Sequence, residues 1–317
     1  MRATASIVIV NWNGGALLVK CLQHLQQQTV RPKQVFVVDN ASSDNSADLA
    51  DNFPGITVLR MDSNLGFAAG NNAALGLCDA DYVVLLNPDA FAEPDWLERL
   101  LSAAEIRFDA AAFGCRQMRY GAPGILDGTG DCYLISGQVY RDGYGKVQQD
   151  RDFKAREIFA PCAAAAMYRL SVLLACGGFD EDFFCYMEDV DLGFRLRLMG
   201  HKIVYVPDAV VNHVGSASTG GRQSDFATYY GHRNLVWTFV KNMPGALFWV
   251  LLPLHATLNL VSLLLVAARG QSSVIFRAKR DALAGLPRMW RKRKVIQASR
   301  VASVIDIWQN LSKAFFR

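Results

Sequence analysis

No two of the seven cysteines in this 317-residue chain form a Cys-x-x-Cys pair, and their number is odd and their spacing irregular. That excludes a disulfide framework and a Cys-based zinc site, and it fits a reducing cytosol. No basic stripe with interleaved aromatics crosses the body, which excludes a nucleic-acid binder. The apolar run Ile7–Val10 follows Met1-Arg2 almost directly and is too short for a signal peptide. Charged residues are scarce, 20% against 51% hydrophobic, so part of the surface is expected to meet lipid. The net charge of +4 is unevenly placed: residues 269–317 hold 12 Lys/Arg against Asp281 and Asp306, leaving 21 basic and 27 acidic groups before them. An acidic body with a basic, apolar tail reads as a peripheral membrane enzyme.

Strand-like runs end near Val10, Val38, Leu59 and Leu86, with helical signals between them, so the first hundred residues read as repeated strand-helix units and a parallel sheet. Leu18, Leu22 and Leu25 define a helix ending near Gln28, Ser42-Ser43-Asp44 can cap the next, and Asn64 to Asn72 opens a third. Ligands gather beyond the carboxyl ends of such strands, where Asn11, Asp39 and Asp89 fall. Residues 110–159, rich in Gly, Tyr, Arg and Asp, read as irregular strands and loops flanking a pocket. Ile203–Val206 and a run ending at His213 read as two further strands.

Six carboxylates, from Asp180 to Asp191, crowd twelve residues among Phe179, Phe183, Phe184 and Tyr186. Glu188–Met199 alternates like a strand. Its acidic start, Arg195 and Arg197 near its end, and the Gly200 stop nevertheless predict a helix with Asp189 on its inward face beside Leu192, Gly193 and Leu196. By themselves the acids could be an ordinary acidic first turn. A lone His213 is by itself a weak metal signature.

The motifs Ser6–Asn13, Val37–Asp44, Asn64–Phe67, Leu86–Ala90, Gly178–Phe184, Tyr186–Asp191 and Val206–Ala209 together resemble the GT-A-fold family 2 glycosyltransferases, in their rhamnosyltransferase-like bacterial branch. The match spans about residues 5–240. The resemblance implies an α/β GT-A (nucleotide-diphospho-sugar transferase) fold with a central, mostly parallel sheet, followed by C-terminal membrane-associated helices. It implies a catalytic domain over 1–240, with a nucleotide-binding half to about 110 and an acceptor half beyond it, and a helical membrane-association region over 241–317. The activity implied is inverting transfer of a sugar from a nucleotide diphosphate donor to an acceptor hydroxyl.

On that reading Asp89 and His213 hold a divalent metal, Mg²⁺ or Mn²⁺, although Asn87 replaces the first carboxylate of the usual Asp-x-Asp. Asp189 is the base; Glu188, Asp191 and Tyr186 hold the acceptor, with Glu188 and Asp191 also able to tune the base by like-charge repulsion. Asn11, Asp39, Asp44, Asn64, Gly66, Asn87 and Arg233 serve the donor, Asp39 by accepting from the N3–H of a uracil or thymine ring. The branch points to dTDP-L-rhamnose and a lipid-linked or cell-surface saccharide. A UDP-dependent galactofuranosyl or hexosyl transferase is the alternative, and a saccharide-binding scaffold without catalysis the non-enzyme one. A sugar-phosphate nucleotidyltransferase would need a basic triphosphate loop, and Asn11–Gly15 has none.

Residues 246–268 carry no charge and would span ~34 Å as a helix at ~1.5 Å per residue. A single crossing would put the basic tail opposite the catalytic domain, so a helix or broken hairpin in the inner leaflet is expected, at the cytoplasmic face of the bacterial inner membrane. Val301, Val304, Trp308, Leu311 and Phe315 predict an amphipathic last helix, and Arg291–Lys294 would sit among anionic headgroups. A homo-oligomer interface is the other occupant such a face would suit.

Overall fold

The computed structural model describes residues 3–215, 221 and 223–315. Its first half follows the repeated units: β1 (Ala5–Asn11), α1 (Gly15–Gln26), β2 (Gln34–Asp39), α2 (Ser46–Asp51), β3 (Ile56–Arg60), α3 (Gly66–Leu75) and β4 (Tyr82–Leu86). Then come β5 (Ala90–Ala92), α4 (Trp96–Ile106), β6 (Ala110–Arg119), β7 (Leu126–Gly128), β8 (Asp131–Tyr133), β9 (Val139–Arg141) and β10 (Arg156–Glu157). The second half holds β11 (Ala165–Arg169), α5 (Leu170–Ala175), α6 (Glu188–Leu198), β12 (Lys202–His213) and α7 (Asp225–Asn242). It ends on α8 (Gly245–Val266), α9 (Ser272–Ala284), α10 (Leu286–Ala298) and α11 (Val304–Asn310).

The main sheet runs β10-β12-β6-β11-β4-β1-β2-β3. Strands β4, β1, β2 and β3 are parallel, β12 is parallel to β6, and β11 enters antiparallel between β4 and β6. This is a mixed α/β fold with a mostly parallel centre, covered on both faces as parallel strands require. One face packs on Leu18, Leu22 and Leu25 of α1 and Trp96, Leu97 and Leu100 of α4. The other packs on Ala68 and Ala74 of α3 and Leu192 and Leu196 of α6. The two strands expected over Ile203–His213 are one continuous strand, irregular between Val206 and Val210, where Pro207 cannot donate to the ladder.

Helix α6 has no solvent face: Val190 to Leu198 are all buried, which explains a hydrophobic pattern lacking helical period. Beyond its first residues, its charged side chains are therefore paired. Asp191 is fully buried and accepts from Arg195 Nε (2.9 Å), Lys241 Nζ (2.8 Å) and Asn242 Nδ2 (2.7 Å). Lys241 also reaches Asp180 at 2.5 Å, and Lys292 of α10 bridges Asp180 (2.5 Å) and Asp182 (2.6 Å). Asp191 thus ties α6 to α7, with its carboxylate turned into this cluster and absent from the lining of the cleft described below.

The basic run Arg291–Lys294 is also partly absorbed. Lys292 is in that cluster, and buried Arg293 donates to the carbonyls of Val240 and Met243, leaving Arg291 and Lys294 exposed. The predicted last helix is shorter than its pattern: α11 covers seven residues, with Ile307 buried while Val301 and Phe315 are exposed.

Removing one partner from a buried ion cluster leaves the others charged and unpaired, at a cost of roughly 3–5 kcal/mol. Lys241→Met is expected to destabilise the chain on that scale in denaturant unfolding. Burial opposes ionisation of Asp180, but Lys241 and Lys292 outweigh it and hold the carboxyl well below its ordinary range. A depressed carboxylate stabilises above its unfolded value, so this contribution is complete above about pH 4 and falls away as pH drops further. In Lys241→Met that acid limb is expected to shrink.

Candidate active site

A cleft of about 780 Å³ opens at the carboxyl ends of the central strands. Asn64, Gly66, Asn87, Asp89, Tyr186, Glu188, Asp189 and His213 all line it, so residues distant in sequence converge on one space. Trp12, Asn40 and Phe67 line it near β1 and β2, and Asp127, Asp131, Arg141 and Cys162 line it elsewhere.

Asp89 and His213 come together because β12 pairs with β5 directly after the Asn87-Pro88-Asp89 turn, setting His213 opposite Ala90. His213 Nδ1 is 2.8 Å from Asp127 Oδ2, and its Nε2 approaches Asp89 Oδ1 at 3.2 Å. Asp89 Oδ2 accepts from Gly215 N at 3.1 Å. Nε2 is buried and makes no well-aligned hydrogen bond among the described residues, Asp89 Oδ1 being the neighbour it faces. A buried, unpartnered imidazole nitrogen beside a carboxylate, its other nitrogen anchored by a second carboxylate, is the donor chemistry of a divalent-cation site, and these residues fit one. Burial disfavours the imidazolium, but Asp127 and Asp89 overcome it and push His213 up to about 9. Burial likewise opposes ionisation of Asp89, and His213 reverses it, holding the carboxyl low.

Asp189 stands at the start of α6, its Oδ2 accepting from Ala163 N at 3.1 Å. Burial pushes its carboxyl up against the opposing backbone bonds and Arg141. Glu188 is pushed up further, by burial and then by the charge of Asp189, and its Oε2 has no partner among the described residues. A neutral Glu188 beside an ionised Asp189 avoids two adjacent buried charges and leaves one carboxylate basic. Asp131, Cys162 and Asp189 bring ligand atoms within 4.8 Å of one another. Burial pushes the Cys162 thiol far up and Arg141 already supplies positive charge there, so that set suits a cation poorly.

The segment before Asp189 is strained. Phe184, Tyr186 and Met187 have φ of 62°, 65° and 70°, a region that side chains rarely adopt. Asn234 holds it, donating to the carbonyls of Phe183 (2.9 Å), Cys185 (3.0 Å) and Tyr186 (2.8 Å). Arg233 adds bonds to the carbonyls of Asp182 (2.9 Å) and Phe183 (3.0 Å) and lies over Trp237 at 4.2 Å. Arg233 thus braces the loop and is not among the residues that line the cleft.

Asn11 is fully buried, its Nδ2 donating to Asp39 Oδ1 (2.8 Å), Ser42 Oγ (3.1 Å) and Ser46 Oγ (2.8 Å). Exposed Asp44 accepts from Gly15 N (3.0 Å) and Ser46 N (3.1 Å). Both shape the loops at the β1–β2 end, and neither lines the cleft. Asp39 sits one residue behind cleft-lining Asn40, and its Oδ2 accepts from Ser42 N at 3.1 Å with lone-pair capacity to spare.

Asp127, Asp131 and Arg141 went unrecognised in the sequence, since they lie on strands of three residues that show no period. The only signal was the acid- and arginine-rich composition of that stretch.

The family model for glycosyl transferase family 2 matches residues 6–174. The chain is 31% identical over 290 residues to N-acetylglucosaminyl-diphospho-decaprenol L-rhamnosyltransferase of Mycobacterium tuberculosis, covering 82% of this chain and 90% of that one. It is 26% identical over 212 residues to O-antigen chain rhamnosyltransferase RfbN of Salmonella typhimurium, covering 66% of this chain and 65% of that one. Among solved structures, the mannosyltransferase PcManGT of Pyrobaculum calidifontis with GDP-Man and Mn²⁺ superposes with a TM-score of 0.56 at 18% identity, covering 98% of this chain and 87% of that one. GalNAc-T7 with UDP, GalNAc and Mn²⁺ superposes at 0.59 and 14% identity, covering 74% and 47%. These likenesses establish a GT-A glycosyltransferase fold of a kind seen elsewhere with Mn²⁺ and nucleotide. The chain belongs to glycosyl transferase family 2 and is a glycosyltransferase.

Gly66 adopts φ +80°, and a Cβ there would lie 2.6 Å from the Phe184 ring and carbonyl. Gly66→Ala is expected to lower stability by about 1–3 kcal/mol from backbone strain, before any clash. Thermal unfolding alongside Gly76→Ala, whose Cβ meets nothing within 4 Å, checks this.

Proposed function

We propose that this protein transfers L-rhamnose from dTDP-L-rhamnose, with inversion, to a lipid-linked or cell-surface saccharide. The observation that carries the reading is that Asp89 with His213 and Asp189 with Glu188 line one cleft with room for a sugar. The similarity to a rhamnosyltransferase over 82% of the chain supports the donor. Asp89 and His213 would hold Mg²⁺ or Mn²⁺, which when bound supplies Lewis-acid neutralisation of the donor's diphosphate. Asn64, Gly66 and Asn87 line the donor side, and Asp39, buried directly behind cleft-lining Asn40, would be the acceptor for the N3–H of the base.

Asp189 takes the proton of the acceptor hydroxyl as its oxygen bonds to the anomeric carbon, opposite the departing nucleoside diphosphate. Tyr186 and Glu188 flank that approach. A nucleotide-sugar panel is expected to release dTDP from dTDP-L-rhamnose, whereas turnover of UDP-sugars alone would favour the hexosyl or galactofuranosyl reading. Asp189→Asn is expected to lower kcat about 10²–10⁴-fold, the usual contribution of a positioned base. Unchanged turnover would sink the assignment.

Catalysis at the cytoplasmic face of the inner membrane follows from the same reading. One side of α8 packs on the body through Phe248, Leu251 and Leu258, and His255 Nδ1 is 2.9 Å from the Ser136 carbonyl. The other side exposes Trp249, Val250, Leu260, Leu264 and Leu265. The most apolar 18-residue stretch has a mean hydropathy of 2.0 and is only 22% buried. A helix fastened lengthwise to the body cannot cross a bilayer alone, so α8 lies in the near leaflet, with the 241–317 region as its support. Replacing Trp249, Leu260 and Leu264 with Ser is expected to abolish flotation with anionic liposomes while leaving the oligomeric state unchanged. Unchanged flotation, or a change of oligomeric state instead, would overturn the membrane reading.

A further inference from the structure

Arg141 ends β9 facing Asp131 of β8, its register partner. Its Nη1 donates to Asp127 Oδ2 at 3.0 Å, the same oxygen that meets His213 Nδ1 at 2.8 Å. Its Nε lies 3.6 Å from Asp131 Oδ1, an ion pair without a hydrogen bond, and Asp131 in turn is within 4.8 Å of Asp189 and Cys162. The side chain is 22% exposed, on the cleft. Its stem crosses Gly128 so closely that a Cβ there would lie 2.3 Å from Arg141 Cδ. A planar guanidinium can hold two carboxylates in fixed relation, which a lysine ammonium on its flexible stem does poorly.

We propose that Arg141 is a positioning residue for the transfer reaction, one guanidinium joining Asp127, behind His213, to Asp131, beside Asp189. It fixes the cation-holding and proton-accepting halves of the cleft in one register. Asp127 can orient His213 with Nε2 towards Asp89 only while Asp127 is itself held, and Arg141 holds it. This rests on the reading of Asp89 and His213 as the cation pair and Asp189 as the base. Facing Asp189 are Glu188 on its own helix, Asp131 from β8, Arg141 from β9, Cys162 from the loop before β11 and Tyr168 from β11. Arg141 is the cation among them, so its loss disfavours the Asp189 carboxylate and moves its titration to higher pH.

The test uses full-length Arg141→Gln, Arg141→Lys and Gly128→Ala, measuring Mn²⁺ affinity by electron paramagnetic resonance without substrate and the pH profile of kcat/KM. Arg141→Gln is expected to weaken Mn²⁺ about tenfold, as loss of an outer-shell partner does. Its acid limb is expected to move up in pH. Arg141→Lys should keep the acid limb but still bind Mn²⁺ more weakly, and Gly128→Ala should weaken Mn²⁺ by displacing the stem. Folded Arg141 variants matching wild type within twofold in affinity, with unmoved acid limbs, would overturn the proposal. If Arg141→Gln fails to fold, the Mn²⁺ affinity of Arg141→Lys decides alone. His213→Ala and Asp189→Asn, run in parallel, separate the underlying reading: wild-type Mn²⁺ affinity in the first or wild-type turnover in the second refutes the site itself, whatever Arg141 does.

Discussion

A cleft that gathers Asp89, Asp127, Asp131, Glu188 and Asp189 must be held together against its own charge. Like charges out of water repel strongly, and burial disfavours each carboxylate separately. Two devices meet this in different places. Within the cleft His213 sits between Asp89 and Asp127, and Arg141 between Asp127 and Asp131. Behind it, Lys241, Arg195 and Lys292 neutralise Asp180, Asp182 and Asp191. Apart from exposed Glu181, the acids of the Asp180–Asp191 stretch therefore divide into those matched by cations and the pair Glu188–Asp189, for which burial is only partly offset. Reactivity is retained where compensation is incomplete.

The same division explains why the C-terminal helices matter to a site they do not line. Lys241 and Asn234 belong to α7 and Lys292 to α10, and together they fix both ends of the loop carrying Phe184, Tyr186 and Met187. Three left-handed residues so close together persist only where surrounding contacts over-determine them. Asn234, donating to three carbonyls of that loop, is such a contact. The first turn of α6 thereby acquires its entry angle, and Asp189 its position.

Elements that obey a period could be read from the chain. Strand-helix units announced β1 to β4, and the polar residues ending those strands fell at the cleft or just beneath it. Whether such a residue lines the cleft could not be read, because buried Asn11 has the same residue type as cleft-lining Asn40 and Asn64 and differs only in what folds against it. Asp191 shows the limit most plainly. It and Asp189 are two residues apart on one helix, and their opposite fates depend on Lys241, fifty residues downstream. Asp127 and Arg141 lay hidden for another reason, since three-residue strands leave no periodicity and their pairing is set wholly by tertiary contact.

The tail follows the same logic with the signs reversed. Its basic excess suggested a surface for anionic lipid, yet Lys292 and Arg293 are consumed inside, one by acids and one by carbonyl oxygens. What remains outside is the apolar side of α8 together with exposed basic residues of the tail, Arg269, Arg277, Arg288, Arg291 and Lys294 among them. Attachment by α8 would consequently combine apolar area with a salt-screened attraction to anionic headgroups. Because α8, α7 and α10 pack in one hydrophobic cluster with Val190 and Phe194 of α6, the exposed apolar helix and the helix bearing Asp189 share a core. An acceptor carried in the leaflet would meet a cleft held at fixed height above it.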